Sequence, residues 1–340
     1  MHITILGGNG FLGRKIAARL AADGTLGGTP VSSLTLFDLA AAPAPPARFP
    51  IRSMAGDLAE LPAGAIPPGT SVVFHLAAVV SSAAEADYDL GRWVNLRGTD
   101  AVVDACRRLP PSDAGPPRVV FTSSVASFSG GQGAVVADDA RQMPGNSYGA
   151  QKAAAELVLA DASRRGFLDA VSLRLPTVVI RPGRPNAAAS SFVSAILREP
   201  LLGLRATLPV PDEFAVWICS PRRAVDWLLH AATMDTALLE VGPLDGGSLG
   251  ADRGINPPGL SVTAGAMLAA LDRVRPGASA LVDRRPDPAV AAIVGTWPAA
   301  FAATRSPALG FTRHEGVAEL IQAFIEDDLD ATRQDRAALP

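Results

Sequence analysis

The first half of the chain is punctuated by short runs that are apolar at nearly every position. They are "HITIL" (2–6), "SLTLFD" (33–38), "SVVFHLAA" (71–78), "RVVFTSS" (118–124) and "AVSLRLP" (170–176). Runs without a polar face predict strands buried inside a parallel sheet that carries helices on both sides. The segments between them include "FLGRKIAARLAAD" (11–23), "WVNLRGTDAVVDACRRL" (93–109) and "SYGAQKAAAELVLADASRR" (147–165), with apolar residues at three- and four-residue spacing. Strands alternating with such helices predict an α/β fold built on a doubly wound parallel sheet. No internal repeat of fixed period interrupts the pattern.

Beyond "IRPGRPN" (180–186) the alternation breaks down. A helix-like stretch (187–200), a Trp-bearing strand (213–220) and helices near 222–233, 262–275 and 315–328 predict a smaller α-rich cap on the substrate side. The expected division is 1–185 for the sheet domain and 186–340 mainly for the cap, with some segments returning to the main domain. The Pro/Ala-rich stretches 40–50 and 110–117 read as surface loops.

Composition narrows the function classes. A chain of 340 residues with 48% apolar content fills a large core, and its net charge of -3 comes with 30 basic residues spread along the whole length. No clustered basic stripe is present, which argues against nucleic acid and anionic membranes as partners. Cys106 and Cys219 have no CxxC spacing, and His2, His75, His230 and His314 are scattered, so neither a disulfide framework nor a metal site is expected. The first apolar run passes straight into "GGNGFLG" without a charged leader, and no apolar stretch has the length of a membrane span. The expectation is a soluble, reduced, cytoplasmic protein.

"GGNGFLG" places Gly7, Gly10 and Gly13 between a strand and a helix. Glycine there allows a tight turn, close approach of a pyrophosphate and close helix–sheet packing, the requirements of a dinucleotide site. The next strand ends in Asp38, whose carboxylate can accept hydrogen bonds from both adenosine ribose hydroxyls and repels a 2′-phosphate, favouring NAD over NADP. "SYGAQK" (147–152) sets Tyr148 one helical turn before Lys152 in a chain with two tyrosines and two lysines. Random placement gives that spacing about 1% of the time. A cation beside the phenol, together with a positive nicotinamide ring, would stabilise the phenolate and make Tyr148 a general base. "FTSS" (121–124) delivers Ser124 to the carboxyl edge of the sheet, where open α/β proteins bind ligands. No G-x-S-x-G elbow surrounds it, so nucleophilic serine catalysis does not fit.

Taken together with "GDL" (56–58), "HLAA" (75–78), "VNLRGT" (94–99) and "LRLPTVVIRPG" (173–183), these motifs resemble the extended short-chain dehydrogenase/reductase family, also called the NAD-dependent epimerase/dehydratase family. The resemblance implies a Rossmann domain that binds NAD. Its glycine loop would run through Gly7, Asn9, Gly10, Phe11, Leu12 and Gly13. Asp57 and Leu58 would hold the adenine, Leu76, Ala77 and Ala78 would line the cofactor, Asn95 would support the site through the sheet, and Pro176 and Val178 would lie by the nicotinamide. Tyr148, Lys152 and Ser124 would be catalytic, with Lys152 fixing the ribose.

Within the family, "VVSSAAEADYDLGRWVNLRGT" (79–99), "RRGFLDAVSLRLPTVVIRPGRPNAAASSFVSAILREPL" (164–201), "WICSPRRAV" (217–225) and "VGTWPAAF" (294–301) resemble the NAD-dependent D-erythronate dehydrogenases. This implies oxidation of the C2 hydroxyl of a four-carbon aldonate to the 2-keto acid. Such an acid needs a cationic partner, for which Arg181 and Arg184 are the candidates, with Ser81, Glu85, Asn186 and Ser191 as polar groups for its hydroxyls. An NDP-sugar epimerase or dehydratase on the same fold, or a non-catalytic NAD-binding sensor, remains open at this point. The family also implies a homodimer through the helices near 95–108 and 148–164. One departure is Ser129 in "SVASFSGG" (124–131), where relatives would carry glycine directly after the aromatic residue.

Overall fold

The computed structural model describes residues 1–112, 115–131, 133–183, 190–239 and 252–337. Its centre is a seven-stranded parallel sheet. The strands are β1 (His2–Leu6), β2 (Ser33–Asp38), β3 (Ile51–Ala55), β4 (Thr70–His75), β5 (Arg118–Ser124), β6 (Asp169–Leu175) and, from far along the chain, Gly254–Ile255. Their order is β3-β2-β1-β4-β5-β6 followed by Gly254–Ile255. Order therefore reverses at β1, and the crevice between the carboxyl ends of β1 and β4 is the place where such sheets bind ligands.

The apolar runs are buried on both faces, as their lack of a polar face requires. Ile3, Ile5, Leu34, Leu36, Val72 and Phe74 pack to one side with Ile16 and Leu20 of helix α1 (Phe11–Asp23). Leu6, Phe37, Val73, Val119 and Phe121 pack to the other, against α2 (Gly98–Arg107) and α3 (Ser147–Arg164).

Several elements differ from the sequence expectation, among them the short Gly254–Ile255 strand and the strand Leu260–Thr263, which takes the place of the start of the helix expected near 262–275. The edge strand β3 was not signalled, because "IRSMA" is only partly covered and alternates weakly. Strand β4 stops at His75, so Leu76 to Ala78 leave the sheet; the Leu76 and Ala77 amides donate to the Leu6 carbonyl and turn the chain over the end of β1. The helix expected from residue 93 opens with a π-helical segment, Arg92–Arg97, before α2 proper begins at Gly98.

The cap region has a core of its own. A three-stranded sheet joins Thr177–Val178, Ala215–Cys219 and Leu260–Thr263. Around its apolar side pack α4 (Ser191–Leu201), α5 (Ala264–Val274) and α6 (Val317–Asp327), through Ile196, Leu197, Met267, Leu271, Leu320 and Phe324. A last helix, α7 (Leu329–Ala337), follows directly. No helix among the described residues is long and apolar enough to cross a membrane.

Candidate active site

The glycine loop is built for close approach. Gly7 has φ of +91°, and a Cβ on it would stand 2.7 Å from the Ala77 nitrogen. A Cβ on Gly13 would stand 2.1 Å from the Gly7 carbonyl oxygen, so only glycine lets the first turn of α1 sit against the loop. The backbone amide of Asn9 donates to Asp38 Oδ2 at 2.9 Å, which brings the carboxylate at the end of β2 beside the loop. No cation pairs with Asp38 among the described residues. A pyrophosphate on the loop and ribose hydroxyls on Asp38 fit this cradle, and a 2′-phosphate does not.

Asp57 Oδ1 accepts from the Ala59 amide at 2.9 Å and Oδ2 from Trp93 Nε1 at 2.8 Å, each oxygen keeping a second acceptor site, and Leu58 is buried against Gly98. Asn95 acts through the loop after β4 rather than through the sheet. Its side chain accepts from the Val79 amide at 2.9 Å and donates to the Val79 carbonyl at 3.0 Å and to Gln151 at 2.7 Å. The cofactor-side loop is thereby tied to the helix that carries Lys152.

That helix, α3, is fixed at its start. Asn146 caps it, its Oδ1 accepting from the Gly149 amide at 2.8 Å. Ser129 accepts from the Gly145 amide and from Asn146 Nδ2, both at 3.0 Å, so the residue that departs from the family pattern anchors the cap. Glu85, expected near the substrate, instead accepts from the Ser147 amide at 2.8 Å and complements the positive end of the helix.

Tyr148, Lys152 and Ser124 converge on one cavity of about 360 Å³. Phe11, Leu12, Leu76 and Ala78 line it from the cofactor side, and Pro176, Val178, Ser81 and Arg181 close on it from elsewhere. Lys152 is buried, its Nζ 4.5 Å from the centre of the Phe121 ring and 5.7 Å from that of Tyr148. Burial pulls its pKa down to about 7, opposed by the nearby Glu156 carboxylate. The tyrosine differs from the sequence expectation. Burial pushes the phenol up to about 12, and the groups that oppose this are a hydrogen bond with Ser124 and the charge of Arg181, not Lys152. The ammonium lies against the ring faces, which weakens its hold on the hydroxyl.

Of the proposed substrate residues, Arg181, Ser81, Ser124 and Tyr148 border the cavity, and Ser191, the first residue of α4, does not. Arg184 and Asn186 lie outside the described residues. Several cavity residues carry no role in the sequence reading, Trp217, Trp297 and Pro298 among them. The signal for Trp217 was its place in an apolar strand of the cap, and Trp297 and Pro298 lie in "VGTWPAAF" (294–301), a stretch that carries the resemblance without assigning either residue a role. Among the described residues no cluster of His, Cys, Asp and Glu could hold a metal ion.

The chain matches known proteins over nearly its whole length. It is 48% identical to D-erythronate dehydrogenase of Cupriavidus necator, covering 96% of this chain and 98% of that protein. It is 38% identical to D-erythronate dehydrogenase of Haemophilus influenzae, covering 97% and 100% respectively. A solved structure described as a nucleoside-diphosphate-sugar epimerase from Agrobacterium tumefaciens superposes with a TM-score of 0.88 at 44% identity, covering 97% of this chain and 95% of that one. The pattern of the family described as "NAD dependent epimerase/dehydratase family" matches residues 3–217. With the glycine cradle, Asp38 and the Ser124–Tyr148–Lys152 cluster, these matches establish that the chain belongs to the NAD-dependent epimerase/dehydratase family, as an NAD-dependent dehydrogenase.

Proposed function

We propose that the protein oxidises the C2 hydroxyl of D-erythronate, or a closely similar small aldonate, to the 2-keto acid. The observation that carries this reading is the placement of Arg181 in the same cavity as Tyr148, close enough that its charge acts on the phenol. A guanidinium suits a carboxylate, and C2 is the carbon next to that carboxylate. An acid gripped by Arg181 would therefore present its C2 hydroxyl toward Tyr148. Trp217, Trp297 and Pro298 supply an apolar wall for the remaining carbons.

Bound NAD⁺ supplies the hydride acceptor and a positive ring that adds to Arg181 in lowering the tyrosine pKa. Tyr148 takes the hydroxyl proton as general base, Ser124 aligns the reacting oxygen through its hydrogen bond with the phenol, and Lys152 holds the ribose. The names of the two relatives support the choice of substrate. The Agrobacterium structure is named for a sugar-nucleotide reaction, so the assay compares a panel of aldonates with UDP-sugars. NADH formation with D-erythronate is expected; a UDP-sugar epimerised with no NADH from any aldonate would refute the proposal.

The protein is further proposed to act as a cytoplasmic homodimer. Leu157 and Val158 on α3, and Leu90 and Trp93 ahead of α2, are large apolar side chains left exposed, and they fit pairing of this helical face with a second copy.

A further inference from the structure

The proposed acid-binding residue, Arg181, is held by a chain of buried charges that begins on the last helix. Arg336 of α7 donates from Nη1 to Glu199 Oε2 at 2.6 Å and from Nη2 to Oε1 at 2.8 Å. The same Nη2 donates to the Gly183 carbonyl at 3.0 Å. Glu199 is shared with its neighbour Arg198, whose Nε donates to Oε1 at 2.9 Å. Arg198 in turn donates from Nη1 to the Arg181 carbonyl at 2.7 Å. Arg198 is 2% exposed and Glu199 4% exposed, while the Arg336 side chain at the outer end is 18% exposed. The Arg181 amide donates to Ser194 Oγ at 3.2 Å, and its Nε donates to the Val178 carbonyl, also at 3.2 Å.

Buried ion pairs add little net stability, but they fix geometry, because removing one partner strands the others in a low dielectric. Here Glu199 is the carboxylate that pairs with both Arg198 and Arg336. The chain of charges ends on the backbone of the 181–183 segment, Arg198 at the Arg181 carbonyl and Arg336 at the Gly183 carbonyl. The terminal guanidinium of Arg181 is left to border the cavity, with no carboxylate pairing with it among the described residues.

We propose that the C-terminal helix is a positioning element for substrate recognition: Arg336, acting through Glu199 and Arg198, holds the segment that presents Arg181 to the acid. This rests on the reading that Arg181 meets the substrate carboxylate. The two are separated by comparing Arg181→Ala, Arg336→Ala and Arg336→Lys in the full chain, with KM for D-erythronate, kcat, NAD affinity and the thermal midpoint measured for each. Arg336→Ala is expected to raise KM for the acid about tenfold with kcat and NAD affinity within about threefold of the parent, and Arg336→Lys to recover part of that loss. Should Arg336→Ala fail to fold, Arg336→Lys carries the test, with an expected KM about threefold above the parent. An unchanged acid KM in the folded Arg336 variants, or a parallel loss of NAD affinity and kcat, would overturn the positioning role. If Arg181→Ala itself leaves the acid KM unchanged, the reading of Arg181 fails and this inference fails with it.

Discussion

The chemistry proposed for this dehydrogenase concentrates in one hydroxyl. The Tyr148 phenol is pushed up to about 12 by burial, and Ser124 and Arg181 oppose that rise. Tyr148→Phe removes the base while keeping the ring against Lys152. Turnover is expected to fall by about a thousandfold or more, and NAD affinity, measured by titration calorimetry, to change less than about threefold. Retained activity would remove Tyr148 from the mechanism. The pairing of Tyr148 with Lys152 was legible in the sequence because both residue types are scarce and their spacing is one helical turn. The direction of the tyrosine shift was not, since it depends on where the ammonium lies relative to the hydroxyl. Arg181 could be named among the candidates, but its selection required knowing which backbone segment borders the cavity.

At the scale of elements, the sheet order and the helix α3 decide whether these residues meet. The strands buried on both faces could be read directly, whereas the edge strand β3 and the short Gly254–Ile255 strand carry too little apolar pattern to announce themselves. Helix α3 approaches the turn after β5 closely. A Cβ on Gly149 would stand 2.2 Å from the Ala126 carbonyl oxygen, so the glycine sets how near Tyr148 comes to Ser124. Gly149→Ala forces the helix away, and kcat is expected to drop by about tenfold to a hundredfold while the protein stays folded, as steady-state kinetics and circular dichroism would show. On the outer face of the same helix, Leu157 is 71% exposed. Leu157→Glu is expected to convert a dimer into a monomer in analytical ultracentrifugation, without altering the far-ultraviolet spectrum; a parent protein that is already monomeric contradicts the pairing.

For the molecule as a whole, the core stores an acid sensitivity. His75 lies 1% exposed in the central sheet, its Nε2 3.0 Å from Thr99 Oγ1, and burial and the charge of Lys152 pull its pKa down to about 3. The folded state therefore keeps His75 neutral where the unfolded chain, titrating near 6.5, takes up a proton. The folded pKa is the lower one, so stability is full above the unfolded value and is lost as pH falls from there toward 3. At pH 5 the loss from this group amounts to about 2 kcal/mol. His314, also pulled down by burial, adds in the same direction. Urea unfolding of the parent and of His75→Gln at pH 7 and pH 5 checks this: the parent should lose about 2 kcal/mol more than the variant over that interval.

The central claim is that hydride leaves C2 of a small hydroxy acid for NAD⁺. It is tested most directly by supplying D-erythronate deuterated at C2 together with NAD⁺ and following both by NMR. The account predicts deuterium on the reduced nicotinamide and a 2-keto acid formed in equal amount. Reduced nicotinamide without deuterium, or no reduction at all beside an epimerised UDP-sugar, would contradict it.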